Sequence, residues 1–172
     1  ILHDKGVDDY IEAARCIRRH YPQTEFNMIG FIEPTEKHYK EDLRKLQEEG
    51  IIIYRGSQKD VKPFVARAHA TIHPSTYGEG MSNVLLESAS SGRFLITTNN
   101  PGCQETLEDG ETGFIYPGGN VDALVDAIER FLAMSNTQRQ QMGELGRERV
   151  KNIFSRTIVV NAYKEKIKEL LS

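Results

Sequence analysis

The 172-residue chain has no tryptophan and only two cysteines, Cys16 and Cys103. Two thiols cannot form the disulfide framework of a small secreted scaffold, so the expected setting is a reducing compartment. No apolar run approaches the ~20 residues that a helical membrane span needs, and no signal peptide opens the chain. An excess of one charge is also lacking: 22 Lys and Arg stand against 25 Asp and Glu, a formal net charge of −3. Such a balance offers no strong field for nucleic acid or an anionic membrane. Repeats and low-complexity stretches are absent, which speaks against solenoids and disordered linkers. What is present, 38% hydrophobic and 27% charged residues, suits one globular domain with a buried core.

Strand and helix patterns alternate along it. Val7, Tyr10, Ile11, Ala14 and Ile17 fall at helical spacing, which predicts a helix over 7–20 stopped by Pro22. Ile1-Leu2 reads as the tail of a strand, Glu25 to Phe31 as a full strand, and Ile51 to Tyr54 as another. Tyr39, Leu43 and Leu46 mark a helix ended by Gly50, and Val61, Phe64, Val65 and Ala68 a short one. Further strands are predicted at 70–73, 93–98 and 113–116, with a helical turn over 103–108. Asn120 is placed to cap a helix bearing Val121, Leu124, Val125, Ile128 and Leu132, and a more polar helix follows from Thr137. Ser155 caps the last, whose stripe is Ile158, Val159, Ala162, Tyr163, Ile167 and Leu170. Ile-, Phe- and Val-rich strands without clean alternation suit a parallel sheet covered on both faces. The expected class is α/β, a doubly wound Rossmann-like sheet. Ligands in such sheets lie beyond the carboxyl ends of the strands, where the loops after Leu2, Tyr54 and His73 would gather.

The stretch from Pro74 to Glu87 reads as a strand end, a turn bracketed by Gly78 and Gly80, and the start of a buried helix. The two glycines are expected to permit backbone turns that side chains would block, and Ser82 or Asn83 to cap the helix. Free N–H groups of Ser82, Asn83 and Val84 would then converge where the helix dipole is positive, a seat for phosphate. Glu79 and Glu87 flank the seat, and ionised carboxylates are acceptors suited to hydroxyl-rich ligands. Amides for a pyrophosphate together with acceptors for hydroxyls suggest a sugar nucleotide. Gly78-Glu79-Gly80-Met81-Ser82-Asn83 also approaches the dinucleotide fingerprint. Its third glycine is replaced by Asn83, and no acidic residue stands ~20 positions on. A nicotinamide or flavin site is therefore not the reading adopted.

The chain resembles, over nearly its whole length, the carboxyl-terminal domain of GT-B glycosyltransferases, in the large retaining group (family 4) that includes sucrose synthase and many bacterial polysaccharide transferases. The resemblance rests on an ordered set: Lys5-Gly6-Val7 with Glu12-Ala13 behind it, Gly56, Pro74-Ser75, and Glu79-Gly80. Glu79 and Glu87 then form an E-x7-E motif with Leu86 before the second glutamate. Gly92, Gly102, Glu105, Asp109-Gly110, Thr112-Gly113-Phe114, Phe154-Ser155 and Tyr163 follow. Two departures stand out. Family members often read E-G-F-G where this chain has Glu79-Gly80-Met81-Ser82, so Ser82 must adopt a φ that an ordinary residue tolerates. They also carry an arginine shortly before the K-G lysine, and Ile1 lies after that point. The chain begins without methionine and is read as one nucleotide-sugar-binding domain over residues 1–172, its first strand truncated and an amino-terminal acceptor domain absent.

The resemblance implies that Glu87 holds ribose hydroxyls, Glu79 donor-sugar hydroxyls, and Lys5 the leaving diphosphate. It places the backbone of Ser82, Asn83 and Val84 on phosphate, Met81 at the sugar ring edge, and the main chain of Ser57 on the base. The implied activity is retaining glycosyl transfer, of hexosyltransferase type, from a nucleotide sugar, a UDP-sugar, to a saccharide or lipid-linked acceptor bound by the amino-terminal domain. No cofactor and no metal are expected, since no His, Cys or Asp cluster shows metal-ligand spacing. His69 and His73 read as packed or surface histidines, Cys103 as chemically idle, and Glu105 equally as a capping acid or a ligand contact. The expected location is cytoplasmic, with the full-length protein peripheral to the inner membrane. Alternatives of the same fold are a nucleotide-sugar epimerase and a non-catalytic nucleotide-binding or interaction domain.

Overall fold

A computed structural model describes residues 1–171. Helix α1 spans Val7–His20, as predicted; of the expected stripe Val7, Ala14 and Ile17 are buried, together with Ala13, while Tyr10 and Ile11 are half-buried. Strands β1 (Asn27–Met28) and β2 (Ile53–Tyr54) pair in parallel, with helix α2 (Tyr39–Glu48) between them in sequence. Both strands are shorter than expected: of the stretches 25–31 and 51–54, two residues each form a ladder. Helix α3 (Lys62–Arg67) leads to strand β3 (Ala70–His73), helix α4 (Asn83–Ser90), strand β4 (Phe94–Thr98) and strand β5 (Gly113–Tyr116). These last three strands form a second parallel sheet in the order β3-β4-β5. A 3-10 turn covers Gln104–Thr106, narrower than the predicted 103–108.

The two sheets are joined at their carboxyl ends by the first residues of the chain. Ile1 donates its amino terminus to the Phe31 carbonyl and accepts from the Glu33 N–H. Asp4 offers its carbonyl to both the N–H and the hydroxyl of Thr76. Ile1 thus makes strand-like contacts without being part of a strand, and His3–Lys5 is a 3-10 turn where a loop is expected.

Alternation across the pleat sorts the core into two layers. Phe94, Ile96, Phe114 and Tyr116 pack with α1, α2 and helix α5 (Val121–Ala133). Phe94 lies edge-on to Phe114 at 5.0 Å and contacts Phe131 at 4.9 Å. Leu95, on the opposite face, packs with Leu85 and Ala89 of α4, Cys103, Leu107 and Val150 of helix α6 (Asn136–Ile153). Helices therefore cover both faces, which makes the fold a doubly wound α/β. Asn120 caps α5 by accepting from the Ala123 N–H, and Ser135 with Gln138 forms a capping box on α6. Helix α7 (Arg156–Leu171) departs from expectation: it has the predicted apolar stripe but buries none of it, and Tyr163 is 68% exposed.

Candidate functional site

Three segments meet beyond the carboxyl ends of β3 and β4. The first is the 3-10 turn carrying Lys5, which ends at Gly6. Gly6 has φ +70°, and a Cβ there would strike the Pro74 carbonyl, so only glycine lets this turn lie against Pro74. The second is the Pro74–Ser82 turn. The third is the 100–103 loop, where Gly102 has φ +82° and a Cβ would strike the Glu79 backbone. The second and third are tied by Glu79 N–H to Pro101 O and Ser82 N–H to Gly102 O, both at 2.9 Å. Hydroxyls at the end of β4 hold the β3 side: Thr97 donates to the His73 carbonyl and Thr98 to the Ser75 carbonyl, each at 2.8 Å. Asn100 Nδ2 adds a bond to the same Ser75 oxygen at 2.7 Å.

This arrangement corrects the expected role of the glycines in the turn itself. Neither Gly78 nor Gly80 has positive φ; a Cβ on Gly80 would meet nothing within 4 Å, and one on Gly78 only ordinary contacts with Pro101. The positions that demand glycine are Gly6 and Gly102, in the flanking segments.

Within the junction, Lys5 Nζ lies 2.5 Å from Glu79 Oε1, and His73 Nε2 lies 3.0 Å from the same oxygen. Lys5 also stands over the Tyr77 ring, 4.7 Å from its centroid. His73 is 9% exposed and Cys103 fully buried. Burial is the largest influence on Glu79 and pushes its pKa up, but hydrogen bonds from Lys5 and His73 outweigh it and hold the carboxyl below its usual range. For Lys5, burial again acts first and downward, and its contacts with Glu79 and Tyr77 outweigh it, raising the ammonium. For His73, burial wins over the opposing pull of Glu79 and lowers the imidazole. The ionised Glu79 is an acceptor only, so the neutral His73 carries its proton on Nε2 and donates. Burial, with the Glu79 charge behind it, pushes the Cys103 thiol up.

The helix tip differs from the sequence expectation in two respects. Ser82 is the N-cap residue in extended geometry (φ −75°, ψ 101°), which an ordinary residue tolerates, but its side chain makes no capping bond; Asn83 is already helical. The Ser82 N–H is also taken, by Gly102 O, so it is not one of the free amides. Those are Asn83, Val84 and Leu85, which have no backbone partner outside α4 among the described residues. The Ser82 hydroxyl is buried and has no hydrogen-bond partner among the described residues. Met81 is half-buried, whereas the side chains of Asn83 and Val84 are exposed. Glu87 lies one turn along α4; its carboxylate is exposed and makes no hydrogen bond among the described residues, so the apolar character of Leu85 and Ala89 does not extend to it. Ser57 is exposed in the loop after β2, and among the described residues no hydrogen bond joins it to the Glu79 turn. Glu105 accepts the Gly102 N–H at 2.7 Å, bracing the loop.

Sequence spacing missed His73 and Cys103, which come from different elements. With Glu79 they form a group whose potential ligand atoms all lie within 4.8 Å of one another. The Lys5 ammonium already balances the Glu79 charge there, so a cation would have to displace it. The signal that could have found them is positional: both stand at or just past the carboxyl ends of adjacent parallel strands. No described helix is long and apolar enough to cross a membrane.

Comparisons with known proteins agree with this architecture. The chain is 30% identical over 159 residues to the capsular polysaccharide biosynthesis glycosyltransferase CapM of Staphylococcus aureus, covering 92% of this chain and 41% of that protein. It is 31% identical over 128 residues to the lipopolysaccharide core biosynthesis glycosyltransferase LpsE of Rhizobium meliloti, covering 72% of this chain and 37% of the relative. The chain therefore spans about two-fifths of the length of these relatives. Among solved structures, Anabaena Alr3699/HepE in complex with UDP superposes with a TM-score of 0.87 at 20% identity, covering 98% of this chain and 46% of that one. The carboxyl-terminal domain of LpcC from Francisella tularensis gives 0.80 at 21% identity over 91% of this chain and 83% of that domain. These likenesses establish the fold as that of the GT-B glycosyltransferases. The profile of glycosyl transferases group 1 matches residues 1–149, and the chain belongs to that family.

Proposed function

We propose that this chain is the donor-binding domain of a retaining, family 4 glycosyltransferase that moves a hexosyl group from a UDP-sugar to a saccharide or lipid-linked acceptor. The observation that carries the reading is the Lys5–Glu79–His73 cluster beside the tip of α4, where the amides of Asn83 and Val84 have no backbone partner among the described residues. Amides at a helix N-terminus and a lysine suit a diphosphate whose negative charge grows as the glycosidic bond breaks. In this reading the amides of Asn83 and Val84 hold phosphate, and the Ser82 amide, bonded to the Gly102 carbonyl, is not one of them. Lys5 moves from Glu79 toward the diphosphate, Glu79 takes donor hydroxyls, and the unpaired Glu87 takes the ribose diol. Met81 borders the sugar ring and the main chain of Ser57 the base. Anabaena HepE, of like fold, is a complex with UDP, which supports the choice of base. The acceptor would bind a separate amino-terminal domain, so the 172-residue chain should bind donor weakly and transfer nothing by itself. Location in the cytoplasm, peripheral to a membrane, is part of the same reading.

Titration calorimetry and thermal shift against UDP-, GDP- and ADP-sugars test it. The expected outcome is saturable UDP-sugar binding, weakened at least tenfold by Glu87→Ala, with a stabilisation of about 2.7 kcal/mol at a hundredfold excess over Kd. Unchanged binding in Glu87→Ala, or a response to NAD and not to UDP, would overturn it.

A further inference from the structure

Both hydrogen bonds to the Glu79 carboxylate fall on one oxygen. Lys5 Nζ and His73 Nε2 contact Oε1, and Oε2 accepts no hydrogen bond among the described residues. The two donors come from independent parts of the fold. His73 is the last residue of β3, paired in register with Thr97, which also grips its carbonyl. Its ring is 11% exposed as a side chain, with little room to turn. Lys5 is 36% exposed on a long flexible stem. Rotation about the terminal bond of a glutamate is soft and nearly two-fold, so a carboxylate with a single mobile partner exchanges its two oxygens. A rigid second donor breaks that equivalence.

We propose that His73 is a positioning residue that commits Glu79 Oε1 to the protein and reserves Oε2 as the acceptor for a ligand hydroxyl. The inference rests on the donor-binding reading above and adds to it the atom that meets the sugar. It also assigns different jobs to the two donors. Lys5 is free to leave when a diphosphate competes for its charge, whereas His73 stays and keeps the carboxylate oriented after the lysine has gone. A neutral imidazole suits this work, because it donates without adding a positive charge that would compete with Lys5. The charged or titratable groups facing His73 are Glu79 from the turn, Lys5 from the 3-10 segment and Cys103 from the loop after β4. Among these only Glu79 is ionised and negative at neutral pH, and it is the one side-chain hydrogen-bond partner of the imidazole among the described residues.

The test compares His73→Leu, which removes the donor, with His73→Gln, which keeps an N–H at similar reach and does not titrate. Two readouts are used on the 172-residue chain. The first is carbon-detected titration of the Glu79 carboxyl, which needs no ligand. Loss of one donor should raise its pKa in His73→Leu, with most of the rise cancelled in His73→Gln. The second is calorimetric affinity for UDP against UDP-glucose, UDP-galactose and UDP-N-acetylglucosamine. For the sugar that wild type binds best, His73→Leu should lose about five- to tenfold of the affinity that exceeds UDP's, with UDP itself changed less than twofold, and His73→Gln should recover it. A merely structural role would weaken UDP and UDP-sugar equally in His73→Leu without rescue by His73→Gln, and that result overturns the proposal. An unmoved Glu79 pKa overturns it too. Wild type that binds none of the nucleotides, with the Glu79 pKa behaving as expected, would sink the donor-binding reading and leave the carboxylate-orienting geometry standing.

Discussion

The tip of the Pro74–Ser82 turn and the two segments that hold it differ sharply in how much freedom they have. At the tip, Tyr77, Gly78 and Gly80 are exposed, and a side chain added at Gly80 would stand in open space. In the flanking segments, Gly6 and Gly102 are buried, adopt left-handed backbone, and touch the backbone of the turn itself. Lys5 and Glu79 are held by segments whose backbones press against the turn, whereas its tip is not constrained in this way. The contrast teaches that glycine content in a turn is no guide to where glycine is required.

The largest effect is expected in the supports. Gly6→Ala and Gly102→Ala each combine a left-handed conformation, unfavourable by about 1–2 kcal/mol for an L side chain, with overlap on a backbone carbonyl. Each should lose at least about 2 kcal/mol, a fall in Tm of roughly 4–8 °C for a chain of this size. Thermal and urea unfolding would measure it, and a loss below about 0.5 kcal/mol would dissolve the contrast. An intermediate effect concerns pH. His73 is held below its ordinary pKa in the folded state, so the unfolded chain binds more protons as pH falls through about 6.5. Stability should therefore decline on acidification below that point and be regained on raising the pH, and His73→Gln should flatten this limb. Urea midpoints between pH 5 and 7.5 would show it; an equal slope in the variant would exclude His73 as its source. The smallest effect is at the tip. Gly80→Ala fits without a clash, and reduced freedom of the unfolded chain should leave it neutral or up to about 1 kcal/mol more stable.

Helices α5 and α7 show what a sequence pattern can convey. Both carry legible apolar stripes. That of α5 buries Leu124 and Ile128 in the core, with Ala127 and Phe131 added from beside it and Val121, Val125 and Leu132 half-buried, while that of α7 leaves Ile158, Tyr163, Ile167 and Leu170 exposed. Periodicity reports which face seeks cover, not whether cover is within this chain. The short strands β1 and β2 show the complementary error. Hydrophobic residues at 25–31 and 51–54 promise long ladders, but pairing depends on the neighbouring strand, and only two residues of each align.

At the site, Glu79 and the α4 tip stand in a local pattern of charged residue, glycine and helix start, whereas Lys5 was singled out by the family resemblance. That Lys5 and His73 meet on one Glu79 oxygen, with Cys103 close by, was not legible, since the segments that carry them lie far apart in sequence and only their places at the strand ends connect them. The Ser82 amide was misread for the same reason: its partner, Gly102, lies twenty residues along the chain. Period and punctuation along the chain thus determine element type, order and the α/β class, because these follow from local backbone preference and the face each segment must bury. Which oxygen of Glu79 is held, which amides stay free, and which glycines are indispensable were decided only when loops distant in sequence packed together, because those contacts depend on distances that no local pattern encodes.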